Sequence, residues 1–578
     1  MATRNEIRCD LLVIGGGIAA AFAAIKARER GVKVVLVDKA FFGRSGCSAL
    51  ASGVYRAYMP GDDLEAWLEE ACSTPLVNRT LAERAILKTN DCLMEMDRWG
   101  VKWIKEGGWI MREFGGGGGL PFKTNAMMAE GGLQMMMALR GQAIRMGVQI
   151  VNRVMMTDLL TNDGAHPTEG SVVGAVGFEA RTAEPWVFES KATVVATGPY
   201  RFPYPPSGGG FAGMPINASA DGIAMMLRAG AILGKFEMGG GSPHPHEFQC
   251  APGLEMLGGL GCKFVDAEGK NLFSMSPNSK PASGNTLTQN RRSALGHNIL
   301  RETRAARHAY LDCTHFTPEQ HRLVKQVVPI VIHTFERAGY DLSKDRVPYS
   351  SALALVHGGS GCGARINGKG ETSLAGLYAA GICSDGGYIR MGQALPEASV
   401  VGAWAGESAA EFTKECAENV LDQRQVESLV AKALAPLNQD AGQKVSFGVL
   451  HSKLENFIVK DIDHILNGGR LDHALETVGE IKAREVDRLA AADPHELAKV
   501  HALKNFIECF EPAARVVLRR TESRGNVLRD DYPFIDNSQW AKFTVFRKEA
   551  ESVRIWEEPL PEDRPRVEKA KIPHPFFR

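Results

Sequence analysis

The sequence is poor in cysteine and has no cysteine-pair motif. Its 11 cysteines are spread over 578 residues, and no two of them stand in a CxxC spacing. This spacing excludes a disulfide framework and the usual thiolate ligation of an iron-sulfur cluster by this chain. It indicates reduced thiols in a cytoplasmic protein, and we expect no metal site.

The sequence also lacks an excess of charge and a long uninterrupted apolar run. It has 67 Lys and Arg against 67 Asp and Glu, which offers no attraction to a nucleic acid or an anionic membrane surface. The apolar run 11–25 is broken by three glycines and falls short of a bilayer span. The first ten residues, MATRNEIRCD, show no export signal. We therefore expect a cytoplasmic chain without a transmembrane segment of its own.

Glycine, by contrast, is abundant, with 62 residues in a chain long enough for about three to four domains. The stretch GRSGCSALASG (43–53) contains three Gly, three Ser and two Ala. So little side-chain bulk favours a close approach of the backbone to a flat ligand. Taken alone, the stretch also fits a flexible surface loop.

The segment 10–38 has the order of a dinucleotide-binding unit. DLLVI (10–14) predicts a strand, the next three glycines a tight turn, 18–28 an Ala-rich helix, and 34–37 a second strand that ends at an acid. Backbone N–H groups at the helix start face a pyrophosphate, and the acid accepts hydrogen bonds from a ribose. This GxGxxA motif predicts cofactor contacts from Gly15, Gly17, Ala20 and Asp38.

Two later stretches belong to the same predicted domain. KATVVATG (191–198) and GLYAAG (376–381) each read as a strand that ends in glycine. Together with the first motif they resemble the FAD-binding fold, in which an inserted lobe interrupts the dinucleotide domain. FAD, instead of NAD, is then the expected cofactor.

Three longer motifs make the resemblance specific. They are FGGGGGLPFKT (114–124), TSLAGLYAAGICSDGGYIRMGQALPEASVVGAWAG (372–406) and TESRGNVLRDDYP (521–533). They resemble the fumarate reductase and succinate dehydrogenase flavoprotein family, which also contains aspartate oxidase and the adenylylsulfate reductase alpha subunit. The resemblance implies an α/β fold with a Rossmann-like FAD-binding domain (1–234 and 350–412), interrupted by an α+β capping domain (235–349). A C-terminal helical domain (413–545) and an extended C-terminal arm (546–578) follow.

The resemblance favours the first of the two interpretations of the small-residue stretch, because it implies that 45–53 is the platform beneath the isoalloxazine ring. Members with covalent FAD carry a His two positions after the Arg of this loop, and this chain has Gly46 there. We therefore expect noncovalent FAD. The family's acid after the glycine of GLYAAG is Ile382 here, which removes one expected contact to the ribityl chain. The further cofactor contacts that the resemblance implies are Lys39, Ser45, Gly46, Gly53, Thr197, Gly198, Asp221, Gly381 and Leu395.

The resemblance also implies a set of substrate-side residues. His244 falls on the substrate-binding His, Glu255 on a catalytic-site Glu, Arg292 on the Arg that delivers the proton, and His357 and Arg390 on a clamp for the substrate. Two His and an Arg suit an anionic substrate because they donate charge-assisted hydrogen bonds to it. Flavin N5 then exchanges hydride with one carbon while an acid serves the neighbouring carbon. Leu254 replaces a family Thr, so one hydroxyl donor is missing.

After residue 411 the pattern changes to charged helices. One amphipathic helix is predicted to end at Gly468, because apolar residues recur before it at helical spacing. These residues are Leu454, Phe457, Ile458, Ile462, Ile465 and Leu466.

The sequence therefore predicts an FAD-dependent oxidoreductase subunit that transfers hydride to or from a small anionic substrate of the dicarboxylate type. An adenylylsulfate reductase alpha-type subunit, an aspartate oxidase-like enzyme and an RNA-modifying FAD protein are alternatives, and the zero net charge argues against the last. The chain shows no cluster motif, no haem motif and one dinucleotide unit, so its electrons pass either to oxygen or a diffusible acceptor, or to a docked partner. The resemblance implies the second route, and we expect the partner to be an iron-sulfur electron-transfer subunit. Through that partner the protein would sit peripherally at a membrane.

Overall fold

The computed structural model describes most of the chain. The described residues are 4–73, 76–113, 123–205, 215–239, 243–250, 257–258, 261–274, 298–302, 308–351, 355–356, 361–386, 394–417, 419–439, 444–462, 464–561 and 570–577.

The first part of the chain, up to residue 239, contains twelve labelled strands and six labelled helices within the described ranges. The strands are β1 (Asn5–Ile14), β2 (Val34–Asp38), β3 (Val54–Arg56), β4 (Lys105–Glu106), β5 (Trp109–Ile110), β6 (Arg112–Glu113), β7 (Asn125–Met127), β8 (Gln149–Asn152), β9 (Val154–Thr161), β10 (Val172–Glu179), β11 (Pro185–Val195) and β12 (Leu233–Gly234). The helices are α1 (Ile18–Glu29), α2 (Gly46–Ala49), α3 (Leu64–Ser73), α4 (Arg79–Arg98), α5 (Gly131–Arg145) and α6 (Asp221–Ala229).

The main sheet has the order β8-β2-β1-β11-β10-β9. Strands β8, β2, β1 and β11 run parallel, whereas β10 pairs antiparallel with β11 and β9. The inner half of β1, LLVI, is at most 3% exposed, because a parallel sheet is covered on both faces. The carboxyl end of β1 therefore opens into the turn that precedes α1, which is where a doubly wound sheet binds its ligand.

The described residues between 243 and 351 form an antiparallel unit. It contains β13 (Pro243–Pro245), β14 (Lys263–Val265), β15 (Asn271–Ser274), β16 (Ala309–Asp312), β17 (Val347–Ser351), α7 (Pro318–Val327) and α8 (Pro329–Arg337). The sheet order is β13-β17-β16-β14-β15. Helix α7 begins with a capping box, in which the Thr317 side chain and the Gln320 side chain each satisfy the other's backbone N–H. This unit has its own apolar cluster, which supports the predicted α+β capping domain.

The chain then returns to the main sheet and continues into helices. The elements are β18 (Gly363–Ala364), β19 (Leu377–Ala379), α9 (Ala394–Glu415), α10 (Gln423–Leu434), β20 (Val445–Ser446), α11 (Phe447–Asp461), β21 (Ile465–Leu466), α12 (Gly468–Arg484), β22 (Leu489–Ala490), α13 (Pro494–Arg519), β23 (Leu528–Arg529), β24 (Phe534–Asp536), α14 (Asn537–Trp540), β25 (Lys542–Glu549), β26 (Ser552–Pro559) and β27 (Lys571–Pro573). Strand β19 pairs parallel with β11, so the FAD-type sheet is completed after the insert. The predicted fold class is confirmed.

The prediction of one helix that ends at Gly468 is wrong beyond Asp461. Helix α11 ends at Asp461, and Ile465 and Leu466 form β21, which pairs parallel with β23. Gly468 begins α12 because the Asn467 side chain accepts a hydrogen bond from the Arg470 N–H (3.0 Å). Apolar spacing alone could not separate a helix from a helix followed by a short strand.

The residues after 545 pack on their own chain where the structure describes them. Strand β25 crosses the predicted boundary at 545 and forms a hairpin with β26. Strand β27 pairs with β24, and Phe576 and Phe577 pack against a cluster that contains Ile465 and Leu528. This part of the predicted arm is therefore tied to the helical domain. None of the helices in the described ranges is long and apolar enough to cross a membrane.

Helices α1 and α9 pack with their backbones in direct contact. A Cβ built on Gly402 or on Gly406 would overlap the backbone of Ala19 or Ala23, respectively. The small residues on both helices permit this approach, and it places the third turn of α9 beside the first turn of α1, so that α9 begins about 10 Å before α1 along their shared direction. The two helix N-termini point the same way, and the first N–H groups of each have no partner within their own helix.

Candidate functional site

The turn after β1 is built from glycine because neighbouring groups leave no room for side chains. Gly15 has a φ of +129°, and a Cβ there would overlap the carbonyl of Ala196, just after β11. A Cβ on Gly16 would overlap the Asp38 carboxylate. Gly17 is the N-cap of α1 and makes no side-chain cap, and Ala20 is fully buried in the first turn. The start of α1 therefore presents bare backbone.

The predicted platform lies directly beside that turn. The Ser48 hydroxyl accepts a hydrogen bond from the Ile18 N–H (3.1 Å), which joins the platform to the first turn of α1. Ser45 is the N-cap of α2, and its hydroxyl donates to the Phe41 carbonyl (3.2 Å). These contacts connect the two segments that the sequence had indicated separately as cofactor-binding.

A second small-residue segment, Gly131 and Gly132, packs against the platform, and the sequence analysis did not predict it. A Cβ built on Gly53, whose φ is +98°, would come within 2.7 Å of the Gly131 Cα. A Cβ on Gly132 would overlap the Ser48 carbonyl, and the Gly132 N–H donates to Ala51 O (2.9 Å). The start of α5 thus packs backbone against backbone under the platform. The Gly-Gly pair was a signal for this contact.

Two of the predicted cofactor-binding glycines, Gly46 and Gly198, have open space, within the described part of the chain, where a side chain would stand. Gly46 has a φ of +79° and Gly198 a φ of +94°, and a Cβ on either would meet no atom of the described residues within 4 Å. Left-handed backbone selects glycine at both positions. Their open surfaces, together with the bare start of α1, form a cradle that a flat cofactor fits, so the residues present are compatible with FAD.

Asp38 ends β2 at the position expected of the ribose acceptor. It is 7% exposed, and its Oδ1 accepts a hydrogen bond from the Ala40 N–H (3.0 Å). Burial raises the pKa of its carboxyl, and the Ala40 N–H and the Lys39 ammonium partly oppose that change. A hydroxyl that donated to this carboxylate would favour its charged form.

Lys39 and Asp221 bind each other in this structure. The Lys39 ammonium donates to Asp221 Oδ2 (2.7 Å), Ser219 Oγ (2.9 Å) and the Asn217 carbonyl (2.7 Å). Asp221 Oδ1 accepts from Asn505 Nδ2 (3.0 Å), which reaches over from α13. Burial alone would raise the pKa of Asp221, but the Lys39 ammonium outweighs it and the pKa is lowered. The pair therefore ties the end of β2 to α6 and to the helical domain.

The segment after β11 contributes a cation that sequence reasoning missed. Thr197 Oγ1 accepts the Gly222 N–H (3.1 Å), so the loop is fixed to the start of α6. Arg201 follows, is 1% exposed, and donates from Nη1 to the Pro215 carbonyl (3.1 Å). Burial lowers the pKa of Arg201 to about 10, and the nearby Cys47 thiol of the platform opposes this. No motif marked Arg201, because burial of this cation follows from the tertiary fold.

The return of the chain to the sheet supplies Gly381 and Leu395. Gly381 has a φ of +74°, and a Cβ there would lie 3.0 Å from the Ala19 Cβ, so it contacts the first turn of α1. Leu395 is half-buried in the first turn of α9. The structure therefore brings together around α1 the cofactor residues predicted from three distant parts of the sequence.

The TESRGNVLRDDYP segment connects the helical domain to the entry of the capping domain. The buried Glu522 carboxylate accepts from Arg520 Nη2 (2.6 Å) and Arg524 Nε (2.7 Å). A Cβ on Gly525 would lie 3.0 Å from the Met238 side chain, and the Asn526 N–H donates to Met238 O (3.3 Å). A buried network in which one carboxylate holds two guanidinium groups fixes the geometry of the segment that leads toward His244.

Of the predicted substrate-side residues, the structure describes His244. It is 4% exposed on β13 and stands opposite Ser350 of β17. His246, two residues further, exchanges a 2.6 Å hydrogen bond with the Ser350 hydroxyl. Glu255, Arg292, His357 and Arg390 lie outside the described residues. In the described ranges, no group of three or more His, Cys, Asp or Glu is arranged to hold a metal ion.

Two family models match the chain. The model described as FAD binding domain matches residues 10–394, and the model described as fumarate reductase flavoprotein C-term matches residues 451–571. An uncharacterized FAD-dependent oxidoreductase of Methanocaldococcus jannaschii is 28% identical over 543 residues, covering 91% of this chain and 94% of that protein. One chain of the fumarate reductase (CoM/CoB) of Methanothermobacter marburgensis is 25% identical over 573 residues, covering 94% of this chain and 98% of that protein.

A solved structure shows the same fold. The matching chain of E. coli quinol fumarate reductase superimposes with a TM-score of 0.83 at 20% sequence identity, covering 98% of this chain and 99% of that chain.

The Lys39–Asp221 pair leads to a testable prediction. Lys39→Met leaves a buried carboxylate without its ammonium and should lower the free energy of unfolding by about 3–5 kcal/mol. Lys39→Met combined with Asp221→Leu should recover part of that loss, because no charge is then left buried alone. If both side chains also contact FAD, the double variant regains stability but retains less FAD after gel filtration than the wild type.

The control is Lys344→Met, which breaks an ion pair with Asp341 in which both side chains are more than half exposed. It should change the free energy of unfolding by about 1 kcal/mol or less. Thermal unfolding of Lys39→Met at the wild-type temperature would contradict the structural role assigned to the pair.

Proposed function

The chain belongs to the fumarate reductase and succinate dehydrogenase family of FAD-dependent oxidoreductases, whose FAD binding domain spans residues 10–394, and from that premise we propose its reaction. The protein transfers hydride between FAD N5 and a carbon of a small anionic substrate of the dicarboxylate type. The observation that best supports this is the position of His244. It is buried on the first strand of the capping domain, just after the Met238 segment that the Glu522 network fixes.

FAD, when bound, would supply a two-electron acceptor or donor, and residues 45–53 would hold its ring. The chain's own residues then perform the remaining tasks. His244, His357 and Arg390 bind the substrate anion with charge-assisted hydrogen bonds, and the planar Arg fork suits a carboxylate. Arg292 holds and moves the proton at the carbon next to the one that exchanges hydride, and Glu255 completes the proton route.

The N-terminus of α9 has a separate task in this proposal. Ala398 in the second turn of α9 lies beside Gly381, and the N–H groups at the helix start would stabilise negative charge on the flavin ring when FAD is bound. Gly46 replaces the imidazole that tethers FAD in other members, so FAD is held without a covalent bond.

An iron-sulfur subunit is the proposed electron-transfer partner, and one surface of the chain supports it. The solvent side of α5 carries Leu133, Met137 and Ile144, which are 48%, 38% and 48% exposed. Leu50, a residue of the platform, is 41% exposed, and its neighbour Ala51 accepts a hydrogen bond from the Gly132 N–H, so the platform adjoins the start of α5. An apolar face that adjoins the flavin platform suits a protein that takes electrons from the flavin edge.

The proposed partner also determines the proposed location. We place the protein in the cytoplasm, at the periphery of a membrane when its partner is membrane-bound.

The proposed reaction is tested by anaerobic flavin spectroscopy. The reduced holoprotein should be reoxidised by fumarate, and succinate should bleach the oxidised flavin if the reaction runs in that direction. Arg390→Gln should weaken substrate binding by about 2–5 kcal/mol, because the substrate carboxylate loses a charged hydrogen-bond donor. Arg292→Lys should abolish turnover with FAD still bound.

Each alternative outcome of this experiment is distinct. Bleaching by sulfite with AMP, but not by carboxylates, would replace the proposal with an adenylylsulfate reductase activity. Hydrogen peroxide formed from aspartate would indicate an aspartate oxidase. Near-normal turnover in Arg292→Ala would contradict the assignment of the proton donor.

The partner proposal is tested by gentle purification from the native host. A smaller cysteine-rich chain should copurify, and Leu133→Asp with Met137→Asp should release it. Val449→Asp is the matched control, since Val449 is an exposed apolar residue (65%) on α11. A lone chain that is fully active with oxygen as acceptor would show that no partner is needed.

A further inference from the structure

A polar pair lies buried between β3 and β7. Arg56 and Asn125 stand directly opposite each other in this antiparallel ladder, and they are 1% and 0% exposed. Directly opposed residues project from the same face with their Cβ atoms about 5 Å apart. The guanidinium and the amide are therefore neighbours on one face of the sheet.

The hydrogen bonding of this pair is incomplete. Arg56 Nη2 donates to the Glu70 carboxylate, and the guanidinium lies over the Trp67 ring, 4.2 Å from its centroid. Among the described residues, Arg56 Nη1 has no hydrogen-bond partner, and neither do Asn125 Oδ1 and Asn125 Nδ2. Buried polar groups are nearly always satisfied, so three unsatisfied atoms at one point call for a ligand group or a water.

The strands β3 and β7 adjoin the platform at the end opposite Arg56 and Asn125. Gly53 precedes β3 and accepts the Met128 N–H (2.8 Å) next to the end of β7. Three residues of extended strand, about 10 Å, separate Gly53 from Arg56. The pair is thus within reach of a small substrate whose reacting carbons lie over the platform.

The same sheet borders the capping domain. Met127 and Val54, which pair with each other at the platform end of the two strands, pack into the apolar cluster of that domain with Phe264. The unsatisfied atoms therefore lie at the boundary between the FAD-binding domain and the capping domain, where the proposed reaction takes place.

We propose that Arg56 and Asn125 bind one of the two carboxylates of a dicarboxylate substrate. This inference rests on the proposed function. Arg56 Nη1 and Asn125 Nδ2 donate to the two carboxylate oxygens. Glu70 already offsets the charge of Arg56, so the pair suits a carboxylate with one negative charge better than a phosphate with two. The pair then determines specificity for a second carboxylate, while Arg390 and the two His residues bind the first.

The test is a titration of the flavin absorbance of the oxidised holoprotein with saturated dicarboxylates from succinate to adipate and with their monomethyl esters. Wild-type protein should bind the best dicarboxylate about tenfold more tightly than its monoester. In Asn125→Leu this ratio should fall close to one, with FAD content unchanged. Removal of a buried unsatisfied amide does not destabilise the fold, so the melting temperature should not fall.

Asn90→Leu is the matched control. Asn90 lies on α4, and its Oδ1 is likewise buried without a hydrogen-bond partner in the described part of the chain. This variant should keep the wild-type ratio. Asn125→Asp, which keeps the shape of the side chain and adds a negative charge, should invert the ratio in favour of the monoester and gives a second readout if Asn125→Leu folds poorly.

The two ways in which this account can fail are distinguishable. A wild-type ratio retained in both Asn125 variants would assign the pair to a buried water and overturn the inference alone. A wild-type flavin that responds to no dicarboxylate would overturn the proposed function and this inference with it.

Discussion

Direct contact between backbones, made possible by missing Cβ atoms, is the constraint on which the rest of this structure depends. The turn at Gly15 is pressed against Ala196, the platform at Gly53 against Gly131, and α9 at Gly402 against Ala19. Each contact joins parts of the chain that are distant in the sequence. Larger side chains at these positions would separate the sheet, the platform and α9, and the cradle for FAD would not form.

Buried ion pairs then fix the relative positions of the segments that the backbone contacts bring together. The Lys39–Asp221 pair joins β2 to α6 and reaches Asn505 on α13, while Glu522 holds Arg520 and Arg524 beside the entry to the capping domain. The two networks connect the helical domain to the cofactor side and to the substrate side. The C-terminal domain thus stabilises the relative positions of the two surfaces between which hydride transfer is proposed.

The sequence predicted those parts of the site that depend on local constraints. A left-handed or crowded backbone admits only glycine, so Gly15, Gly46 and Gly198 were readable from the sequence. Features that depend on tertiary burial were not readable. Arg201 has no motif, because a buried cation differs from a surface Arg only in its surroundings, and the mutual pairing of Lys39 with Asp221 joins residues 182 positions apart. The strand at Ile465 was missed because helical spacing and a short strand share the same apolar residues.

The central claim is that FAD lies noncovalently on the platform formed by residues 45–53, with its pyrophosphate at the start of α1. A crystal structure of the holoprotein tests this most directly. We predict the isoalloxazine ring against Ser45–Gly53, a ribose on Asp38, and no bond between the ring and residue 46. A flavin bound elsewhere, or one joined covalently to any side chain, would contradict the account.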